Sequence, residues 1–199
     1  MEVRAVKFST EAADDLLLML TEEDCKEYAW PQPVLKQLLE AQGFTGKLGE
    51  TASCVYLSEG AGRPRRAIAA GMGKAEELTL EKVRRSFGAG LKEAAKQKIE
   101  TLTIAPWTCG RLSTGEAARA VTEAFLLASY RFDRYLAEKK PCSVRSLQIG
   151  FSPEHEKEVL SALKLGQTLG ETTNLARDLV NEPANVMTPE RLAAEAKKA

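Results

Sequence analysis

Histidine is almost absent from this chain: His155 stands alone among 199 residues. One imidazole excludes a multi-histidine metal site, and any Ser-His-Asp or Cys-His arrangement would have to use His155 itself. His155 itself lies among Glu154, Glu156 and Lys157 where a helix begins, so it reads as a helix-surface residue. Cysteine is scarce as well. Cys25, Cys54, Cys109 and Cys142 are far apart, form no Cys-x-x-Cys pair and match no metal-ligand spacing, a pattern suited to a reducing compartment. Neither sign of charge is in excess, with 28 Lys plus Arg against 28 Asp plus Glu. The net charge therefore demands no nucleic acid, anionic membrane or acidic substrate. No apolar run approaches the roughly 20 residues of a membrane-spanning helix. The opening Glu2, Val3, Arg4, Ala5, Val6, Lys7, Phe8 alternates as a strand does and lacks the form of a signal peptide. These absences predict a cytoplasmic protein.

What is present is a core. Apolar residues make up 44% of the chain, enough for one ordinary domain and an appendage. Strand-like runs fall at Val3 to Phe8, Asp15 to Leu20, Ser53 to Leu57, Ala67 to Ala70, Thr101 to Ala105 and Ser143 to Gly150. Leu16, Leu17, Leu18, Met19 and Leu20 are apolar at every position, which predicts a strand buried on both faces and a sheet covered by helices on both sides. The covering helices are legible too. Leu80, Val83, Phe87, Leu91 and Ala94 mark one stripe of a helix over Thr79 to Ile99. Ser113 to Glu116 is a capping box opening a helix with Ala117, Val121, Ala124, Ala128 and Phe132 on one side. A shorter helix over Val34 to Ala41 closes at Gly43. From Ser152 and Pro153 a long helix starts, with a predicted inner stripe of Val159, Ala162, Gly166, Leu169, Thr173, Ala176 and Val180, rich in small residues and in need of a partner surface. Alternating strands and helices define an α/β domain.

Three features invite a chemical reading. Gly71, Met72, Gly73, Lys74 follows a strand and precedes a helix, where free amides can cradle a phosphate, but it matches neither the dinucleotide fingerprint nor a Walker loop and reads first as a plain turn. Arg63, Arg65, Arg66, Lys82, Arg84, Arg85, Lys92, Lys96 and Lys98 form a basic cluster diluted by Glu76, Glu77, Glu81, Glu93 and Glu100, so a solvated helix face is favoured over a nucleic-acid surface. The carboxylates fall in no pattern that assigns an acid and a base. Trp30 and Trp107, each beside a proline, read as loop and strand-end packing.

The end of the chain is the most specific part. Thr188 caps, Pro189 occupies the first helical position and Glu190 complements the helix dipole, so a helix is predicted from Pro189. Arg191 to Ala199 supplies helix formers and no stop signal, which leads to the expectation that Ala199 is an artificial terminus and that residues 181–199 open a further domain.

The segment Asn174, Leu175, Ala176, Arg177, Asp178, Leu179, Val180, Asn181, Glu182, Pro183, Ala184, Asn185, with Thr188, Pro189 and Glu190, resembles the domain junction of the leucyl aminopeptidase, or cytosol aminopeptidase, family. Tyr130, Arg131, Phe132, Asp133, Arg134, Tyr135 is similar to that family's aromatic-basic segment, although Leu136 stands where the family commonly has Lys. The likeness covers the whole chain but only the N-terminal part of the family protein. It implies a macro-domain-like mixed sheet flanked by helices over residues 1–151, a connecting helix over 152–180 and the start of a catalytic domain over 181–199. It implies as well that two divalent metals, Zn or Mn, and the peptidase chemistry reside in that catalytic domain. No catalytic, cofactor or metal residue is therefore assigned to this sequence. The resemblance further implies a homohexamer for the whole protein, and a monomer or weak dimer for this chain. Two alternatives stay open: a macro-like module binding ADP-ribose through Gly71 to Lys74, and a nucleic-acid surface on the basic helix.

Overall fold

A computed structural model describes residues 1–9, 13–27, 33–57, 64–107, 110–139 and 141–198. Its strands are β1 (Glu2–Lys7), β2 (Asp15–Thr21), β3 (Thr51–Leu57), β4 (Pro64–Gly73), β5 (Thr101–Ile104) and β6 (Ser146–Phe151). The helices are α1 (Asp24–Glu27), α2 (Pro33–Ala41), α3 (Leu80–Lys96), α4 (Thr114–Ser129), α5 (Glu156–Asn181) and α6 (Pro189–Ala196). The strands form one mixed sheet in the order β1-β6-β5-β2-β4-β3. All neighbours are parallel except β3, which runs antiparallel to β4 at one edge.

The continuous apolar run of β2 explains why the sheet has two covered faces. Leu17 and Met19 join Ile68, Phe87 and Phe125 in the core beneath α3 and α4. Leu16, Leu18 and Leu20 join Leu35, Leu39 and Phe44 on the other face, beneath α2. Side chains alternate at every residue of a strand, so a run without polar positions has no face to offer water. Phe87 and Phe125, fully buried, meet edge to face with ring centroids 6.5 Å apart and join α3 to α4.

Several sequence-based boundaries move. The expected turn at Gly71 is strand: β4 continues through Gly71 and Met72 to Gly73, because β2 pairs with it as far as Thr21. The sixth strand begins at Ser146 and not at Ser143, since the Arg145 and Ser146 amides both bond the Glu100 carbonyl, at 2.8 and 3.1 Å. Helix α4 stops at Ser129, leaving Phe132 outside it, and Ala128 is exposed.

The inner stripe of α5 is the largest correction. The buried residues are Val159, Leu163, Gly166 and Gly170, whereas Leu169 is 43% and Val180 83% exposed, and Thr173 and Ala176 also face outward. Two causes turn the helix this way. A Cβ at Gly166 would lie 2.9 Å from the Arg119 carbonyl oxygen and from Thr122 Cβ, and one at Gly170 would lie 2.7 Å from Leu126 Cδ1, so the glycines permit an approach to α4 that no other face of α5 allows. The last carbonyls of α4 also need donors, and α5 supplies them: Asn174 Nδ2 donates to Leu126 O and Arg177 Nη1 to Leu127 O, each at 3.0 Å.

Candidate functional site

Within the stretch singled out for anion binding, both glycine amides are engaged, while Lys74 is exposed. The Gly71 amide donates to Glu50 O and the Gly73 amide to Gly46 O, both at 2.8 Å. A Cβ at Gly71 would sit 2.0 Å from Lys47 O, so the backbone of residues 46–50 fills the space a phosphate would need. Two residues beyond Gly73, Ala75 N donates to Glu23 Oε2 at 3.0 Å, and this bond holds the Glu23 carboxyl below its ordinary range. Backbone carbonyls and a carboxylate of the chain itself thus stand where an anion's oxygens would go.

The basic cluster is likewise dispersed into structure. Arg65 is buried. Arg66 forms a paired contact with Asp15 and donates to Gln97 O at 3.1 Å. Lys82 pairs with Glu77 at 2.9 Å, Lys96 with Glu93 at 3.0 Å and Arg84 with the buried Glu123 at 2.6 Å, while Arg119 reaches the same carboxylate at 3.5 Å. Arg85, Lys92 and Lys98 remain exposed, and Arg63 lies outside the described residues, as do Trp30 and Cys109. His155 sits in the short turn Pro153–His155 between Glu154 and Glu158, 3.6 Å from each. Glu158 also accepts from the Gly115 amide at 2.7 Å, tying the start of α5 to the start of α4. Among the described residues no three His, Cys, Asp or Glu side chains converge to hold a metal. A groove of about 420 Å³ runs between α3, α4 and Pro141 to Ser143, floored by Leu91, Ala95 and Ala128, without convergent catalytic groups.

The polar network that does converge lies at the far end of α5. It joins the two segments that carry the resemblance, which are nearly fifty residues apart in sequence. Glu182, with only 2% of its side chain exposed, accepts from the Tyr135 hydroxyl at 2.5 Å and forms a close ion pair with Arg134. Those two contacts, the hydroxyl first and the guanidinium next, hold the Glu182 carboxyl below its ordinary range. The Tyr135 phenol is raised by donating to that carboxylate. One turn back, Tyr130 Oη donates to Asp178 Oδ1 at 2.8 Å and accepts from Asn181 Nδ2 at 3.2 Å. Arg177 stacks 5.5 Å above the Tyr130 ring, and Arg134 Nη2 lies 3.7 Å from Asp178. Beyond Glu182 the chain turns through Pro183, whose carbonyl accepts from the Val186 and Met187 amides at 2.8 and 2.9 Å. Thr188 then caps α6 by accepting from Arg191 N at 3.3 Å, and Pro189 opens that helix as the sequence predicts.

Sequence reasoning named the residues of this network but not their pairing. The Arg134 to Glu182 contact had no local signal.

Fold and network together define a class: an α/β domain whose last long helix is pinned at both ends to fix the direction of the chain after it. The sequence profile of the cytosol aminopeptidase family, N-terminal domain, matches residues 26–139, and the chain belongs to that family as its N-terminal domain. It is 35% identical over 161 residues to a probable cytosol aminopeptidase of Persephonella marina, covering 80% of this chain and 32% of that protein. A protein of the same description from Clostridium tetani is 29% identical over 193 residues, covering 96% of this chain and 39% of its own length. The chain spans about a third of the length of the curated relatives it matches. In fold it is similar to a mutant tomato leucine aminopeptidase, with a TM-score of 0.72, 24% identity, all of this chain and 42% of that one covered. It is also similar to the bottromycin maturation enzyme BotP in complex with Mn, with a TM-score of 0.71, 23% identity, and 94% and 36% coverage.

Proposed function

We propose that this chain is the non-catalytic N-terminal domain of a cytoplasmic metal-dependent leucyl aminopeptidase, serving assembly and substrate access. The single observation that carries the reading is the junction network, in which Glu182, Asp178 and Asn181 at the end of α5 are held by Tyr130, Arg134 and Tyr135. A domain that holds the exit of its long connecting helix with a buried, paired carboxylate is built to orient a neighbour. On this reading residues 1–151 form the domain, 152–180 the connector and 181–199 the opening of the neighbouring unit. Catalysis, with two divalent ions of Zn or Mn, belongs to the remaining two thirds of the family protein.

The outward face of α5 suits the same role. Ser161, Leu165, Leu169, Thr172, Thr173, Ala176 and Val180 form a stripe without a single charge. Such a face is the natural seat for the rest of the family protein. The test is an assay of leucine p-nitroanilide hydrolysis by the purified chain with Mn²⁺ or Zn²⁺ added. No turnover is expected. Turnover that persists after host peptidases are removed overturns the proposal.

No helix among the described residues is long and apolar enough to cross a membrane.

A further inference from the structure

The two edges of the sheet are not alike. β1 exposes Glu2, Arg4 and Lys7, charges of the kind that discourage a sheet from pairing with another. β3, at the opposite edge, reads Thr-Ala-Ser-Cys-Val-Tyr-Leu, with no charge and no proline, and leaves Val55 62% and Leu57 73% exposed. The Gly71 amide donates to Glu50 O, and the antiparallel ladder alternates from there along the register Thr51 to Ala70 through Leu57 to Pro64. Ala52, Cys54 and Tyr56 therefore turn their backbone groups toward β4, and Ser53, Val55 and Leu57 turn theirs outward. Among the described residues one outward group is occupied, Ser53 O, which accepts from Gln42 Nε2 at 3.0 Å. A carbonyl has two lone pairs and can take a second donor.

We propose that β3 is a self-association edge, pairing antiparallel with β3 of a second copy about a two-fold axis at Val55. An outward row of amides and carbonyls selects an extended strand and no other shape. Self-pairing is favoured because the strand is uncharged: a like strand sets Val55 against Val55 and Leu57 against Ser53, with no charge at any position from Ser53 to Leu57. The pairing would merge two six-stranded sheets into one and leave the outward stripe of α5 uncovered.

The experiment is sedimentation equilibrium of the 199-residue chain over a wide concentration series, beside Val55→Lys and two cysteine variants. The wild type is expected to dimerise reversibly. Val55→Lys places two like charges directly opposite and should raise the dissociation constant about tenfold or more. Val55→Cys should cross-link on mild oxidation, since directly opposed residues lie about 5.5 Å apart at Cα, within disulfide reach. Leu57→Cys, out of register with its own copy, should cross-link no faster than wild type. Both positions are exposed, so these variants retain the fold, which circular dichroism verifies. A chain monomeric at every concentration, a dimer indifferent to Val55→Lys, or Leu57→Cys cross-linking as fast as Val55→Cys overturns the proposal. So does a monomer whose β3 amides gain hydrogen-exchange protection only from an added unrelated peptide, which assigns the edge to a foreign strand.

Discussion

At the scale of residues, Glu182 carries the most consequence. A carboxylate held below its ordinary range in the folded state adds stability above that range and loses the contribution as pH falls through the lowered value. The ordinary value is 4.5, so the loss belongs below it. Glu182→Gln should unfold at a lower temperature than wild type at neutral pH, and the difference should shrink as pH drops from 5 toward 3 (approximate bounds of the carboxylate range). Thermal melts across that range check it. Arg134→Ala should instead leave a buried carboxylate with one partner fewer, and limited proteolysis after Pro183 should accelerate severalfold, because the exit of α5 loses its anchor. The members of this network were readable in the sequence as a list. Their pairing was not, since Tyr135 and Glu182 meet only after α5 has folded back along α4, and no periodicity spans that distance.

At the scale of elements, the packing of α5 on α4 rests on two glycines. Gly166→Ala should destabilise the chain by about 1–3 kcal/mol despite the better helix propensity of alanine, because the new methyl meets backbone at Arg119 and the branched Thr122. Gly170→Ala should also destabilise, as its methyl meets the fixed Leu126 Cβ at 2.9 Å as well as the end of that side chain at 2.7 Å. Urea unfolding of the two variants measures both losses. The strands and helices themselves were largely legible: the unbroken apolar run of β2 announced a doubly covered sheet, and the capping box at Ser113 and the cap at Thr188 fall where the helices begin. The facing of α5 was not legible. Its sequence offers two stripes of small and apolar residues, and the choice is made by the carbonyls of Leu126 and Leu127, which lie on a different helix.

At the scale of the whole molecule, the filled space around Gly71 argues against a nucleotide. Calorimetric titration with ADP-ribose should give no binding heat, since an entering phosphate would have to displace the Glu50 and Gly46 carbonyls from amides they already hold. In a full-length family member that carries this junction, the Arg134→Ala change should lower peptidase activity without touching a residue of the chemistry, and the loss should be recovered in part by Arg134→Lys, which keeps the charge but not the forked geometry. Steady-state assays of both variants test this.

The glycine contacts and the anchoring network also make α5 a phase-setting rod. Between Gly170 and Asp178 the helix is gripped at both ends, so its residue count there fixes a rotation as well as a length. Inserting one alanine after Gly170 would advance everything beyond it by about 1.5 Å and turn it by about 100°. The domain would still fold around its sheet, yet whatever follows Glu182 would leave from a different side of the molecule, which makes the spacing of this stretch as consequential as its composition.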